Sequence, residues 1–171
     1  VGSDVAEGVM GDFSTIEVFE LDTLEQVAEF RSNAIKENQL YEAIKWIIIY
    51  LVTTIDQRTG KKPTVYWSFE NNSAGAAIGA LYYADERFPP DPELLNGREE
   101  KLGFRTTNKA KLEACRHFKN LIEKSSGYKI NSERLIVEMK NYVRHGASYA
   151  AKTGSTDDLV SAMLIITRMI K

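Results

Sequence analysis

The chain has 171 residues, 43% of them hydrophobic and 27% charged, which is enough for one domain with a full apolar core and argues against intrinsic disorder. A formal net charge of −2 and a sequence pI of about 5.8 do not by themselves mark a nucleic-acid binder. One cysteine, Cys115, excludes an intramolecular disulfide, two histidines, His117 and His145, make a histidine-rich metal site improbable, and the longest apolar run, Trp46–Val52, is too short to span a bilayer.

Val1–Val5 reads as a strand, followed by a turn containing Gly8 and Gly11. Ser14–Leu21, with Ile16, Val18 and Phe19, and Gln26–Phe30, with Val27 and Phe30, read as two more strands joined by a hairpin at Leu21–Leu24. The period then lengthens. Leu40, Ala43, Ile44, Ile47, Ile48, Leu51 and Ile55 recur at three- and four-residue spacing and predict an amphipathic helix from about Glu37 to Ile55. Gly60 and Pro63 interrupt, and Thr64–Phe69 is a strand with Val65, Trp67 and Phe69 on one face. Glu70 then falls on the opposite face, at the strand's C-terminal end.

Asn72 or Ser73 caps a short helix that runs through Tyr82. Phe88–Pro92 is loop, continued by polar residues to Leu102. Thr107–Lys124 is helical in composition, and Asn131 or Ser132 starts another helix through Met139. Ser148–Ala151 predicts a short strand. Thr156 is the expected cap of the last helix, Asp157 to about Ile170, almost wholly apolar after Asp158.

The succession β-β-β-α-β-α with later helices predicts an α/β domain of the ribonuclease H-like kind over residues 1–171, a mixed sheet of about five strands with helices on both faces. In that arrangement the first and fourth strands are neighbours. Asp4 and Glu70 then point into one crevice, to which the last helix brings its first-turn acids, Asp157 and Asp158.

Each acid alone has an ordinary explanation: Asp4 and Asp12 flank a glycine-rich turn, and acids at a helix start suit the macrodipole. Glu70 has no obvious local partner. Gathered together, carboxylates repel and resist burial, so a fold that collects them does so to hold hard divalent cations. Two ions about 3.5–4 Å apart clamp the attacking and leaving oxygens of a phosphodiester displacement. Asp4 is the expected bridging ligand, Glu70 and Asp158 each complete one ion's shell, and Asp157 assists through water. An all-oxygen site suits Mg²⁺ or Mn²⁺ rather than zinc. Charge is also unevenly spread: nine basic and four acidic residues lie between Asn96 and Lys129, leaving a strongly acidic remainder. Lys101, Arg105, Lys109 and Lys111 are the candidates there for contacts to DNA phosphates.

Ser3-Asp4-Val5-Ala6-Glu7-Gly8 with Gly11-Asp12, Phe69-Glu70-Asn71-Asn72-Ser73-Ala74-Gly75, a basic strand-and-turn stretch from Gly103 through Lys111, Leu121-Ile122-Glu123-Lys124, and Gly146-Ala147-Ser148-Tyr149-Ala150-Ala151 followed by Asp157-Asp158-Leu159-Val160 together resemble the motifs of one family. It is the nuclease domain of the large terminase subunit of tailed double-stranded DNA bacteriophages, in its contractile-tail branch, and the resemblance extends over essentially the whole chain. It implies that Asp4, Glu70 and Asp158 match the catalytic triad, with Asp157 beside them and Asp12 as a further acid near the site. It further implies an Mg²⁺- or Mn²⁺-dependent endonuclease that cuts concatemeric viral double-stranded DNA during packaging, in the host cell cytoplasm. The implied partners are DNA, a packaging ATPase domain earlier in the same polypeptide, the portal and the small terminase subunit. No Gly-x-x-x-x-Gly-Lys-Ser/Thr loop occurs here, so translocation does not reside in this piece. The segment Phe88–Glu100 departs from the family as an insertion. Two alternatives stay open: a Holliday-junction resolvase or transposase-like nuclease of the same fold, and a non-catalytic domain stabilised by calcium.

Overall fold

The computed structural model describes residues 1–6, 12–97, 101–124 and 128–170. Three strands open the chain, β1 (Gly2–Asp4), β2 (Ser14–Glu20) and β3 (Glu25–Ser32), followed by helix α1 (Glu37–Thr53), strand β4 (Tyr66–Phe69) and helix α2 (Gly75–Ala84). A two-residue strand β5 (Glu93–Leu94), helices α3 (Asn108–Lys124) and α4 (Glu133–Asn141), a hairpin of β6 (Tyr142–His145) and β7 (Ser148–Ala151), and helix α5 (Asp158–Met169) complete it. The main sheet has the order β3-β2-β1-β4-β5. Its first three strands are antiparallel neighbours, whereas β1, β4 and β5 run parallel. This is the expected ribonuclease H-like α/β architecture.

Alternation along the strands assigns two cores. Val1, Val5, Ile16, Val18, Trp67 and Phe69 face Leu40, Ile44 and Ile48 of α1 and Ile78 of α2, which is why α1 carries apolar residues at three- and four-residue spacing. On the other face, Phe19 packs with Ala114 and Phe118 of α3, Leu135 of α4 and Leu159, Met163 and Ile166 of α5. Tyr128 belongs to this second core, edge-on to Phe19 and Phe118. Helices therefore cover both sides of the sheet.

The sequence reading needs four corrections. Strands β5 and β6 were not expected. Gly103–Lys111 is not a strand and turn: Phe104 makes one isolated bridge with Glu70, and Lys109 and Lys111 already lie on α3. Asp4 closes β1 rather than sitting inside a longer strand. Thr156 does not cap α5, because its hydroxyl donates to Glu138. Glu7, Gly8, Gly11 and Arg98–Glu100 lie outside the described residues. No helix among the described residues is long and apolar enough to cross a membrane.

Candidate functional site

Register places the acids. Thr15 pairs with Arg31 on one side and with Asp4 on the other. Ser3 pairs with Phe69, and the Glu70 amide donates to the Ser3 carbonyl at 2.9 Å, so Glu70 stands beside Asp4 on the neighbouring parallel strand. In-register residues of adjacent strands share a face. Arg31, Thr15, Asp4 and Glu70 thus form one row across the sheet, on the face that α5 covers.

Helix α5 rests on the row below. Gly2 is in direct contact with Ala162 and Ile166. Asp4 lies two residues further along β1, and Asp158 lies one turn before Ala162. A strand rises about 3.3 Å per residue and a helix about 1.5 Å, so those two steps nearly match and bring the start of α5 over Asp4. The Thr15 hydroxyl fixes that end by donating to the Asp158 carbonyl at 2.8 Å.

The electrostatics agree with the geometry. Burial pushes the Asp4 carboxyl well above the usual carboxylate range, helped by a hydrogen bond to the Glu70 carboxyl and by the charges of Glu70, Asp158 and Asp157. Asp158 is pushed up to about 6, first by burial, with Glu138, Asp157 and Asp12 adding repulsion and the Phe13 amide opposing it. Asp12 is exposed but within electrostatic reach of Asp158. Among the described residues no ion pair reaches Asp4, Glu70 or Asp158, while Asp157 has Lys111 at 4.0 Å. No three acidic, imidazole or thiol groups of the described residues stand close enough to form a finished coordination sphere. The donors are oxygens suited to a hard cation.

Glu70 is held by its own motif. Asn72 donates from Nδ2 to Glu70 Oε2 at 3.2 Å and to the Val5 carbonyl at 2.9 Å, and its Oδ1 accepts from the Gly75 amide at 2.7 Å. The N-cap position of α2 is Ala74, with no side-chain cap, so neither Asn72 nor Ser73 is the cap; Asn72 instead closes the turn that leads into the helix. A Cβ on Gly75 would lie 1.9 Å from the Glu70 carbonyl oxygen, so only glycine fits where the helix turns back on the strand.

The basic candidates divide. Lys101, Arg105 and Lys109 are exposed, whereas Lys111 is half-buried, directed at Asp157 and 5.9 Å from the centre of the Tyr142 ring. Tyr149 stacks on Tyr142 in the β6–β7 hairpin, and His145 is exposed there. The sequence reading missed Arg168, whose guanidinium lies 4.4 Å above the Phe104 ring and donates to the Arg105 carbonyl. It also missed Glu138, described below.

No family model matches the chain. Similar solved structures are those of the large terminase nuclease from thermophilic phage G20c. The form with bound cobalt superposes at a TM-score of 0.67 and 18% identity, covering 98% of this chain and 78% of that one. The form with bound magnesium gives 0.66 and 17% over the same shares, and a third structure gives 0.66 and 15%, covering 99% of this chain and 81% of that one. The fold of this chain is therefore that of a large terminase nuclease domain.

Proposed function

We propose that this domain is a divalent-metal-dependent endonuclease that cuts concatemeric viral double-stranded DNA as a genome is packaged. The observation that carries the reading is the meeting of Asp4 and Glu70, on adjacent parallel strand ends, beneath the start of α5. In this reading Asp4, Glu70 and Asp158 hold two Mg²⁺ or Mn²⁺ ions, with Asp157 assisting and Asp12 adding negative potential at the rim. When bound, such ions supply a nucleophile at neutral pH and stabilise charge on the phosphoryl and leaving oxygens. The chain's own residues prepare the place: Asn72 orients Glu70, and Thr15 holds the first turn of α5. Lys101, Arg105, Lys109 and Lys111 bind phosphates and position the duplex without reading its bases. The cobalt and magnesium in the G20c nuclease structures support a divalent cofactor.

The same reading makes residues 1–171 one nuclease unit of a longer polypeptide with a packaging ATPase domain. It works beside the portal and the small terminase subunit in the host cell cytoplasm. Plasmid cleavage with Mg²⁺, Mn²⁺ or chelator tests the activity. Cutting is expected with either ion, none in chelator, and none from folded Asp4→Ala, Glu70→Ala or Asp158→Ala. Calcium-dependent melting without any cleavage in Mg²⁺ or Mn²⁺ would overturn the reading.

A further inference from the structure

Helix α5 is capped from outside its own segment. The first N–H groups of a helix lack intrahelical acceptors and usually turn to a side chain at the N-cap. Asp157 occupies that position and makes no such bond, and Thr156 spends its hydroxyl proton elsewhere. Glu138 of α4 does the work instead. Its Oε2 accepts from the Leu159 amide at 2.8 Å and the Val160 amide at 3.2 Å, and its Oε1 accepts from Thr156 Oγ1 at 2.8 Å. Arg31 on β3 places Nη2 3.8 Å from Glu138 Oε1 and donates to Thr156 Oγ1 at 3.0 Å. The Arg31 guanidinium lies 3.6 Å above the Phe13 ring. Glu138 is 5% exposed, so solvent does not compete for these charge-assisted bonds.

We propose that Glu138 is a positioning residue for the acid crevice, an inference that rests on the nuclease reading above. By satisfying the Leu159 and Val160 amides it relieves Asp157 and Asp158 of that duty. Their carboxylates, which an uncapped helix end would attract, stay available to the crevice. It also sets the pitch of the first turn of α5, and so the placement of Asp158 relative to Asp4. Its own helix is anchored to the sheet, because Gln26 Oε1 accepts from the Asn131 and Ser132 amides at 2.9 and 2.8 Å. A cap from Asp157 itself would also serve helix stability, but it would take one of the two aspartates from the crevice.

Mn²⁺ binding by calorimetry, plasmid cleavage kinetics and amide exchange on the 171-residue chain test this. Glu138→Ala is expected to weaken Mn²⁺ binding by about ten- to a hundredfold. It should lower kcat by a similar factor with KM for DNA unchanged, at a temperature where the variant is folded. The Leu159 and Val160 amides should lose their protection in that variant. Glu138→Gln, whose carbonyl still accepts from both amides, should restore most of the binding, rate and protection. If Glu138→Ala melts earlier but keeps wild-type Mn²⁺ affinity and kcat while folded, the role is structural only and the proposal is overturned. Should it not fold, Thr156→Val removes one donor to Glu138, and is expected to weaken Mn²⁺ binding in the same direction by less. Unchanged affinity there would overturn the proposal equally. A wild-type chain that binds Mn²⁺ but never cuts would sink the nuclease reading alone, leaving the affinity ratio to judge Glu138; one that binds no Mn²⁺ overturns both.

Discussion

Gly2 and Ile166 touch so closely that no side chain fits between them: a Cβ on Gly2 would fall 2.6 Å from Ile166 Cγ1 and 2.7 Å from the Ala162 carbonyl oxygen. Gly2→Ala must therefore lift α5 or shift β1, at a cost of about 1–3 kcal/mol. The same displacement moves Asp158 from Asp4, and misplacements near 1 Å cost about a hundredfold in rate. Cleavage is expected to fall more than tenfold at temperatures where circular dichroism shows the variant folded. Gly79→Ala on α2, with its nearest neighbour at 3.5 Å, is the control and should melt no earlier than wild type.

Asp4→Asn separates the cost of the site from its use. Burial and like charges disfavour the ionised Asp4, and the amide removes that charge. In chelator its melting temperature is expected to equal or exceed the wild-type value by a few degrees. The rise that Mn²⁺ gives the wild type should vanish. Differential scanning calorimetry with and without Mn²⁺ reads both, and a Mn²⁺-dependent rise retained in Asp4→Asn would remove Asp4 from the ligand set.

Asn72 joins Glu70 to the start of α2. Asn72→Ala should cost about 1 kcal/mol from the lost hydrogen bonds and should weaken Mn²⁺ binding, because Glu70 loses its donor. Asn72→Asp keeps an acceptor for Gly75 but sets a carboxylate against Glu70 Oε2 and the Val5 carbonyl. It is expected to be the more damaging change at pH 7, and the gap should shrink below about pH 5, where the new acid protonates. Urea denaturation at the two pH values decides this.

Glu17 gives the fold a pH dependence that the site does not require. It is fully buried under α5, accepts from Gln26 Nε2 at 2.7 Å, and leaves Oε1 without a partner. Burial above all pushes its carboxyl from 4.5 up to about 8, with the charges of Glu29 and Glu138 adding and the Gln26 bond opposing. Between those values the unfolded chain releases a proton that the folded chain keeps. The Glu17 contribution is therefore fully present below pH 4.5 and is lost as pH rises toward 8. Glu17→Gln should flatten that slope and be more stable than wild type at pH 8 by on the order of 2–4 kcal/mol. Denaturation from pH 4.5 to 8.5 checks it: a stability difference independent of pH would refute the assignment.

DNA affinity should fall steeply with salt if phosphates are the contacts. Removing Lys101 or Lys109, both exposed, is expected to reduce the log–log salt slope by about 0.9 each. Lys111 is already engaged with Asp157, so Lys111→Ala should change the slope less and alter Mn²⁺ binding more. Fluorescence anisotropy on a short duplex at several salt concentrations measures the slopes.

The strand-end acids were legible because topology reads from period: three strands, a long helix and a fourth strand force β1 and β4 together, and Asp4 with Glu70. Strands β5 and β6 were not legible, since two and four residues carry too little alternation to register. Thr156 misled because a threonine before an apolar helix is ordinarily its cap. The true cap is twenty residues before Asp158 in the chain, beyond any local pattern. A trace of it was nonetheless present: Glu138 sits in the stripe Leu135, Glu138, Met139 of α4, a charge where helical spacing expects an apolar side chain. Lys111 shows the limit of counting charge, since composition cannot tell a cation facing solvent from one facing an aspartate.

Asp4 belongs to the first strand and Asp158 to the last helix, and the crevice between them closes only when α5 docks on Gly2. During translation, a ribosome-bound polypeptide already displaying residues 4 and 70 would still have no cutting centre. On the proposed reading, the capacity to damage DNA arises only once α5 has been made, and any product shortened ahead of α5 would be harmless to the host chromosome.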